Sequence, residues 1–193
     1  MTMKRKIQQL KKSISLTANV EEKMSILKDT YSGETCYIVS CGPSLLEVDM
    51  DLFKKELSEN LTLTVKQAYF YLSGLSDFHF FNCNNFTPYI YNNNTIFCSQ
   101  SDALPESVAK KHIWNNQKYD INFLLLDNKN HENKLSKSKN FDVWKMENRI
   151  DRPWGPGLMN ETVLYMALHL GVTKIRTIGW DHIDPNGKNY KID

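Results

Sequence analysis

Glycine and proline are scarce in this chain, at 8 and 6 of 193 residues, and neither G-x-G-x-x-G nor the Walker lysine sequence occurs. A generic dinucleotide or ATP phosphate loop is therefore unsupported. The four cysteines, Cys36, Cys41, Cys83 and Cys98, form no C-x-x-C pair, and no histidine stands at zinc-finger spacing from them. That leaves no recognisable structural zinc site. Three of them lie in or beside apolar runs, the usual setting of buried reduced thiols, and no apolar leader follows the basic N-terminus. Both features fit a cytoplasmic protein. No apolar run approaches the roughly 18 residues a bilayer requires, and mean hydropathy is −0.49. An excess of one charge is missing too: 24 Lys+Arg face 22 Asp+Glu, a net +2. Such a balance speaks against a dedicated nucleic-acid binder, which gathers basic residues on one element.

What is present is enough for one globular domain behind a helical lead. Ile7, Leu10 and Ile14, then Val20, Met24 and Leu27, recur at helical spacing, so residues 1–30 are expected to form a basic helical N-terminal arm. Lys4, Arg5, Lys6, Lys11 and Lys12 lie there with no acid before Glu21. They read either as a solvated face or as a weak membrane-surface or partner helix. From Thr35 onward, short β-rich runs alternate with helical or polar stretches: Cys36–Ser40, Leu61–Val65, Phe78–Asn82, Thr95–Ser99, Ile121–Asp127 and Lys174–Asp181. Continuous apolar strands alternating with helices predict an α/β, Rossmann-like domain over residues 31–193, with a mainly parallel sheet flanked by helices. Asp49 and Asp51 are candidate caps for a helix through Phe53–Leu57. Met159–Leu170 carries Val163, Met166, Ala167 and Leu170 on one face and ends at Gly171, a good C-cap residue. Asp127–Lys139 is polar and charged, read as a surface loop or a lid. The chain stops at Asp193 just after a Pro185-Asn186-Gly187 turn, and an incomplete C-terminus is expected.

Ligands of open parallel sheets bind at the carboxyl ends of the strands, at the topological switch point. Three segments leave their strands there. In Cys41-Gly42-Pro43-Ser44, glycine permits close backbone approach, proline fixes the turn, and serine caps or donates a hydroxyl to phosphate. Arg152-Pro153-Trp154-Gly155-Pro156-Gly157 precedes the helix holding Asn160 and Thr162. Free N–H groups, a positive helix end and a bidentate arginine make this an anion site, although Asn160 and Thr162 equally serve as caps. The third, Gly179-Trp180-Asp181-His182, runs on to Asn186; an Asp-His pair at a strand end suits acid/base work or a metal ligand. Of the other histidines, His169 falls within a helix pattern, His79 alternates with strand residues, and no pair has metal-ligand spacing.

Together the strand followed by Cys41-Gly42-Pro43-Ser44-Leu45, the Phe80-Phe81-Asn82 strand end, and the run from Gly155 through Asp181 to Tyr190 resemble two related families. One is the bacterial sialyltransferases of glycosyltransferase family 42; the other is the MptE-like (DUF115) proteins with diphosphokinase activity. Asn186-Gly187-Lys188-Asn189-Tyr190 matches the N-G-x-x-Y of the sialyltransferases. The resemblance implies that Gly42, Pro43 and Ser44 form a nucleotide-phosphate turn and that Asn82 contacts the cytidine nucleotide. It also implies that Arg152 stands at the donor and acceptor site and that Tyr190 hydrogen-bonds the departing phosphate. Departures accompany it. Cys41 replaces the family's asparagine, Val65-Lys66-Gln67 replaces Cys-Asn-Gln, and the family's general-base histidine would lie beyond Asp193.

The resulting expectation is a metal-independent, inverting glycosyltransferase of the sialyltransferase type, using a CMP-activated sugar in surface glycan synthesis. Asp181, His182 and Tyr190 are its candidate catalytic residues. Cys41, Gly42, Pro43, Ser44, Gln67, Asn82, Arg152, Gly155, Gly157, Asn160, Thr162 and Asn186 are its candidate nucleotide-binding residues. No cofactor is expected; the partners are a nucleotide-sugar donor and a glycan acceptor, and homo-oligomers are common in the resembled family. Two alternatives stand beside it. One is an MptE-like phosphotransferase holding Mg²⁺ through Asp181 and Asp184; the other is a catalytically incomplete nucleotide-binding domain.

Overall fold

A computed structural model describes residues 3–82, 89–101, 118–124 and 159–181. Its elements in chain order are α1 (Met3–Ile14), α2 (Val20–Leu27), β1 (Thr35–Val39), a 3-10 turn (Pro43–Leu46), α3 (Met50–Glu59), β2 (Leu61–Val65) and α4 (Ala68–Leu72). After these come β3 (Phe78–Asn82), β4 (Ile96–Ser101), β5 (Ile121–Leu124), α5 (Met159–His169) and β6 (Lys174–Ile178). All six strands expected from the sequence form. They make one parallel sheet in the order β5-β4-β3-β2-β1-β6, an α/β Rossmann-like fold. The chain steps from β1 outward to β5 and then returns to the opposite flank of β1, so the switch point lies between β1 and β6.

Alternation along each strand divides two faces. Cys36 and Ile38 of β1, Leu61, Leu63 and Val65 of β2, and Phe78 and Phe80 of β3 join one core cluster with α1, α2 and α5. On the other face Tyr37 and Val39 pack with Leu45, Phe53 and Leu57, while Tyr69, Phe81, Tyr89 and Phe97 form an aromatic cluster. β6 differs: Lys174, Arg176 and Thr177 are exposed and Ile175 and Ile178 only half-buried, as suits a sheet edge.

The first two helices do not project as an arm. Ile7, Ile14 and Leu27 are almost wholly buried and belong to the main core. Two of the N-terminal cations turn inward rather than forming a solvated or membrane-facing stripe. Lys6 pairs with Glu34 and stands over the Tyr31 ring. Lys11 is buried, forms an ion pair with Asp120 at 2.9 Å, donates to the Asn92 and Thr95 carbonyls, and lies over the Tyr91 ring. No helix among the described residues is long and apolar enough to cross a membrane.

Local signals explain the helix ends. Asn19 caps α2 by accepting from the Glu21 and Glu22 N–H groups. Of the two aspartates offered for α3, Asp49 is the cap, accepting from Asp51 and Leu52. Gly171 ends the α5 segment at φ 82°, the left-handed conformation that glycine adopts without penalty. Two aspartates that immediately precede strands do a job the sequence did not advertise. Asp77, before β3, accepts the Thr62 N–H of β2, and Asp120, before β5, accepts the Phe97 N–H of β4. Each carboxylate thereby extends a parallel ladder at its amino end.

Candidate functional site

The carboxyl ends of β1 and β6 meet at the switch point through their backbones. Ser40 N–H donates to the Ile178 carbonyl and Gly42 N–H to the Gly179 carbonyl, both at 2.8 Å. This crossing leaves no room for side chains. A Cβ on Gly42 would lie 2.6 Å from the Gly179 oxygen, and one on Gly179 would lie 2.1 Å from the Ser40 oxygen. Gly179 also has φ 67°, so both its space and its backbone demand glycine.

Pro43 begins the 3-10 turn, and Leu45, fully buried, anchors that turn to the α3 side of the core. Ser44 is thereby aimed at β6. Its N–H donates to Asp181 Oδ2 at 3.1 Å, its hydroxyl donates to Asp181 Oδ1, and it accepts the Gly179 N–H at 3.1 Å. Ser44 and Asp181, chosen from sequence for separate roles, thus form one unit. Ser44, part of the turn that the resemblance gives to a nucleotide phosphate, donates both its N–H and its hydroxyl to a carboxylate in this structure. Beside this unit opens a cleft of about 600 Å³ lined by Ser44, Leu164, Thr177, Gly179, Trp180 and Asp181. Trp180 is half-buried and packs its other side against the main core.

Across β1, away from β6, Cys41 borders the end of β2. Burial pushes its thiol pKa up, and the Lys66 charge and the N–H groups of Cys41 and Gln67 offset this only in part. That describes a protonated thiol rather than a nucleophile. Lys66 turns the chain out of β2 with φ 51°, unusual for a residue with a side chain, and its N–H continues the β2–β3 ladder to the Phe80 carbonyl at 2.9 Å. Gln67 follows, its Oε1 buried with no hydrogen-bond partner among the described residues. Asn82 ends β3 on the same edge of the sheet. Thr162, fully buried in the first turns of α5, likewise has a hydroxyl with no partner among the described residues. Backbone placement puts Asn160 in the first turn of α5.

The structure therefore brings Cys41, Gly42, Pro43, Ser44, Gln67 and Asp181 to one edge of the sheet, with Asn82 at the end of the neighbouring strand. Arg152, Gly155, Gly157, His182, Asn186 and Tyr190 lie outside the described residues, as do Cys83 and the polar Asp127–Lys139 segment. The two histidines with legible surroundings are structural. His169 Nε2 bonds the Met24 carbonyl at 2.7 Å. His79 is fully buried among Tyr69, Tyr89, Phe81 and Phe97, and burial lowers its pKa to about 3. Among the described residues no group of three His, Cys, Asp or Glu side chains gathers as a metal site. Sequence reasoning gave no role to Leu164, Thr177 or Trp180, which shape the cleft. The available signal was the position of Thr177 and Trp180 on either side of Gly179, at the strand end already singled out.

No family model and no curated protein matches the chain. Among solved structures it is similar to the MAf glycosyltransferase from Magnetospirillum magneticum AMB-1, with a TM-score of 0.42 and 13% identity; the match covers 97% of this chain and 29% of that one. The chain thus spans less than a third of that protein's length.

Proposed function

We propose that this chain is the nucleotide-binding domain of a glycosyltransferase of the sialyltransferase type, taking a CMP-activated sugar and working without a metal. One observation carries the reading. The two segments that bear the resemblance, Gly42–Ser44 and Gly179–Asp181, are joined by hydrogen bonds at the β1–β6 switch point, where a parallel α/β sheet binds its ligand. The nucleotide would lie along the β1–β2–β3 side of that junction, where Cys41, Gln67 and Asn82 border the sheet edge and the start of α5 supplies N–H groups for a phosphate. A buried, unpartnered Gln67 oxygen suits an amino group of a base, because leaving such an acceptor unmatched costs free energy that a ligand recovers. Developing negative charge on the departing phosphate would be stabilised by donors already in place rather than by a cation.

Calorimetric titration with CMP, CDP and ATP, each with and without Mg²⁺, tests this. CMP binding that is indifferent to EDTA and weakened in Gln67→Ala is the expected result. Binding of ATP alone, and only with Mg²⁺, would replace the reading with a phosphotransferase.

A further inference from the structure

Two described residues with side chains adopt left-handed backbone, Asp29 at φ 55° and Lys66 at φ 51°. Asp29 has an ordinary reason: it lies just past the end of α2, and its N–H reaches the His169 carbonyl. Aspartate also enters this region more readily than lysine does. Lys66 closes no helix. It turns the chain from β2 into α4, its N–H extending the β2–β3 ladder and its carbonyl accepting the Tyr69 N–H at 3.1 Å. Glycine would make the same turn without a steric penalty, so the lysine side chain needs a reason of its own.

That side chain is half-buried at the carboxyl edge of the sheet, where parallel α/β proteins bind their ligands. Lys6, Lys11 and Arg176 are each paired with a carboxylate; among the described residues Lys66 has no such partner. The β1–β2 register, which matches Val39 with Thr64, leads to Cys41 and Lys66 at neighbouring strand exits. Burial keeps the Cys41 thiol protonated, while the Lys66 charge and the N–H groups of Cys41 and Gln67 all favour negative charge at that point. Cys41 and Lys66 are also both departures from the resembled sequence pattern, and the fold makes them neighbours. The Ser44 N–H and hydroxyl, by contrast, are both committed to Asp181.

We infer that Lys66 binds the anionic group of the ligand, its ammonium taking a phosphate oxygen beside Cys41 at the exit of β2. The inference rests on the nucleotide reading and deepens it. The phosphate lies on the β2 side of the switch point, met by a charge that the protein itself supplies.

Calorimetric titration of the whole chain with CMP, cytidine and pyrophosphate tests this in wild type, Lys66→Gly and Lys66→Arg. CMP affinity should fall about tenfold or more in Lys66→Gly and be largely kept in Lys66→Arg, while cytidine binds all three alike. Added salt should weaken CMP binding to wild type more than to Lys66→Gly. The urea midpoint of Lys66→Gly should equal or exceed that of wild type, since glycine relieves the left-handed turn. Unchanged CMP affinity in Lys66→Gly would overturn the inference and leave the nucleotide reading standing. Equal losses of CMP and cytidine would overturn it too, because the side chain would then act by shape and not by charge. Lys66-dependent pyrophosphate binding with neither CMP nor cytidine bound would sink the nucleotide reading and leave the anion site. No binding of any of the three would overturn both.

Discussion

Ser44 and Asp181, separated by 137 positions in the chain, bind each other twice: the serine N–H reaches one carboxylate oxygen at 3.1 Å and its hydroxyl reaches the other. Hydrogen bonds to a charged group contribute about 2 kcal/mol each when they are removed singly. Ser44→Ala should therefore lower unfolding stability by about that amount, and Asp181→Asn by less, since the amide oxygen still accepts from the Ser44 N–H. Urea denaturation of both variants measures the difference. Equal stability of wild type and Ser44→Ala would remove the basis for treating the pair as one unit.

The crossing beneath that pair predicts a graded glycine series. Gly33 and Gly179 both have positive φ, but a Cβ on Gly33 meets nothing within 4 Å. Gly33→Ala should cost only the left-handed backbone penalty, about 1–2 kcal/mol. Gly179→Ala adds a backbone collision that no side-chain movement relieves, at least another ~1–3 kcal/mol of overpacking. Their urea midpoints should separate clearly, with Gly179→Ala lower.

Two ion pairs should respond very differently to the same kind of substitution. Lys11–Asp120 is enclosed, with side-chain exposures of 9% and 7%, whereas Arg176–Glu56 is open at 44% and 49%. Removing one partner of an enclosed pair strands a charge, at about 3–5 kcal/mol; an exposed pair is screened by solvent and contributes little. Lys11→Met should thus lower the thermal midpoint severely, and Glu56→Gln hardly at all. The double variant Lys11→Met/Asp120→Asn should recover part of the first loss.

His79 gives the fold an acid-sensitive element. Its folded pKa, about 3, lies below the ordinary 6.5 because burial opposes the charged ring. The unfolded chain therefore binds more protons between those values. The stabilising contribution of neutral His79 is complete above about pH 6.5 and is lost as pH falls toward 3, at up to about 1.4 kcal/mol per pH unit. His79→Phe should lack that slope, so its stability relative to wild type should rise as pH falls from about 6.5 toward 3. Proton NMR should show the His79 ring unmoved at pH 5, and a midpoint near 6.5 would refute this account.

The buried thiols should be silent. Cys36 and Cys98 are enclosed and burial raises both pKa values strongly. A chromogenic disulfide reagent at mildly alkaline pH should reach neither of them until denaturant is added.

Strand positions were legible because each run is apolar and β-rich with a polar break on either side; Leu61–Val65 and Phe78–Asn82 match their strands end to end. The α5 face was equally plain from Val163, Met166, Ala167 and Leu170, all buried. Strand order was not legible, because apolar pattern records burial and not neighbours; that β6 returns beside β1 follows from packing alone. For the same reason Ser44 and Asp181 could be chosen separately but not joined. The inward turn of Lys11 has no signature in the sequence either. A lysine in a basic stretch reads as solvated until the distant Asp120, Tyr91 and Phe97 are brought around it.

The placement of β6 has a consequence for how the molecule assembles. Neighbouring pairs from β1 through β5 join segments close in sequence, but the β1–β6 register matches Thr35 with Lys174. Closing so long a loop carries the largest entropic penalty of any pairing in the sheet and is expected late in folding. Ser44 and Asp181 then come together in that final step. Ligand binding would report completion of the last strand, while the secondary-structure signal of the other five would rise before it.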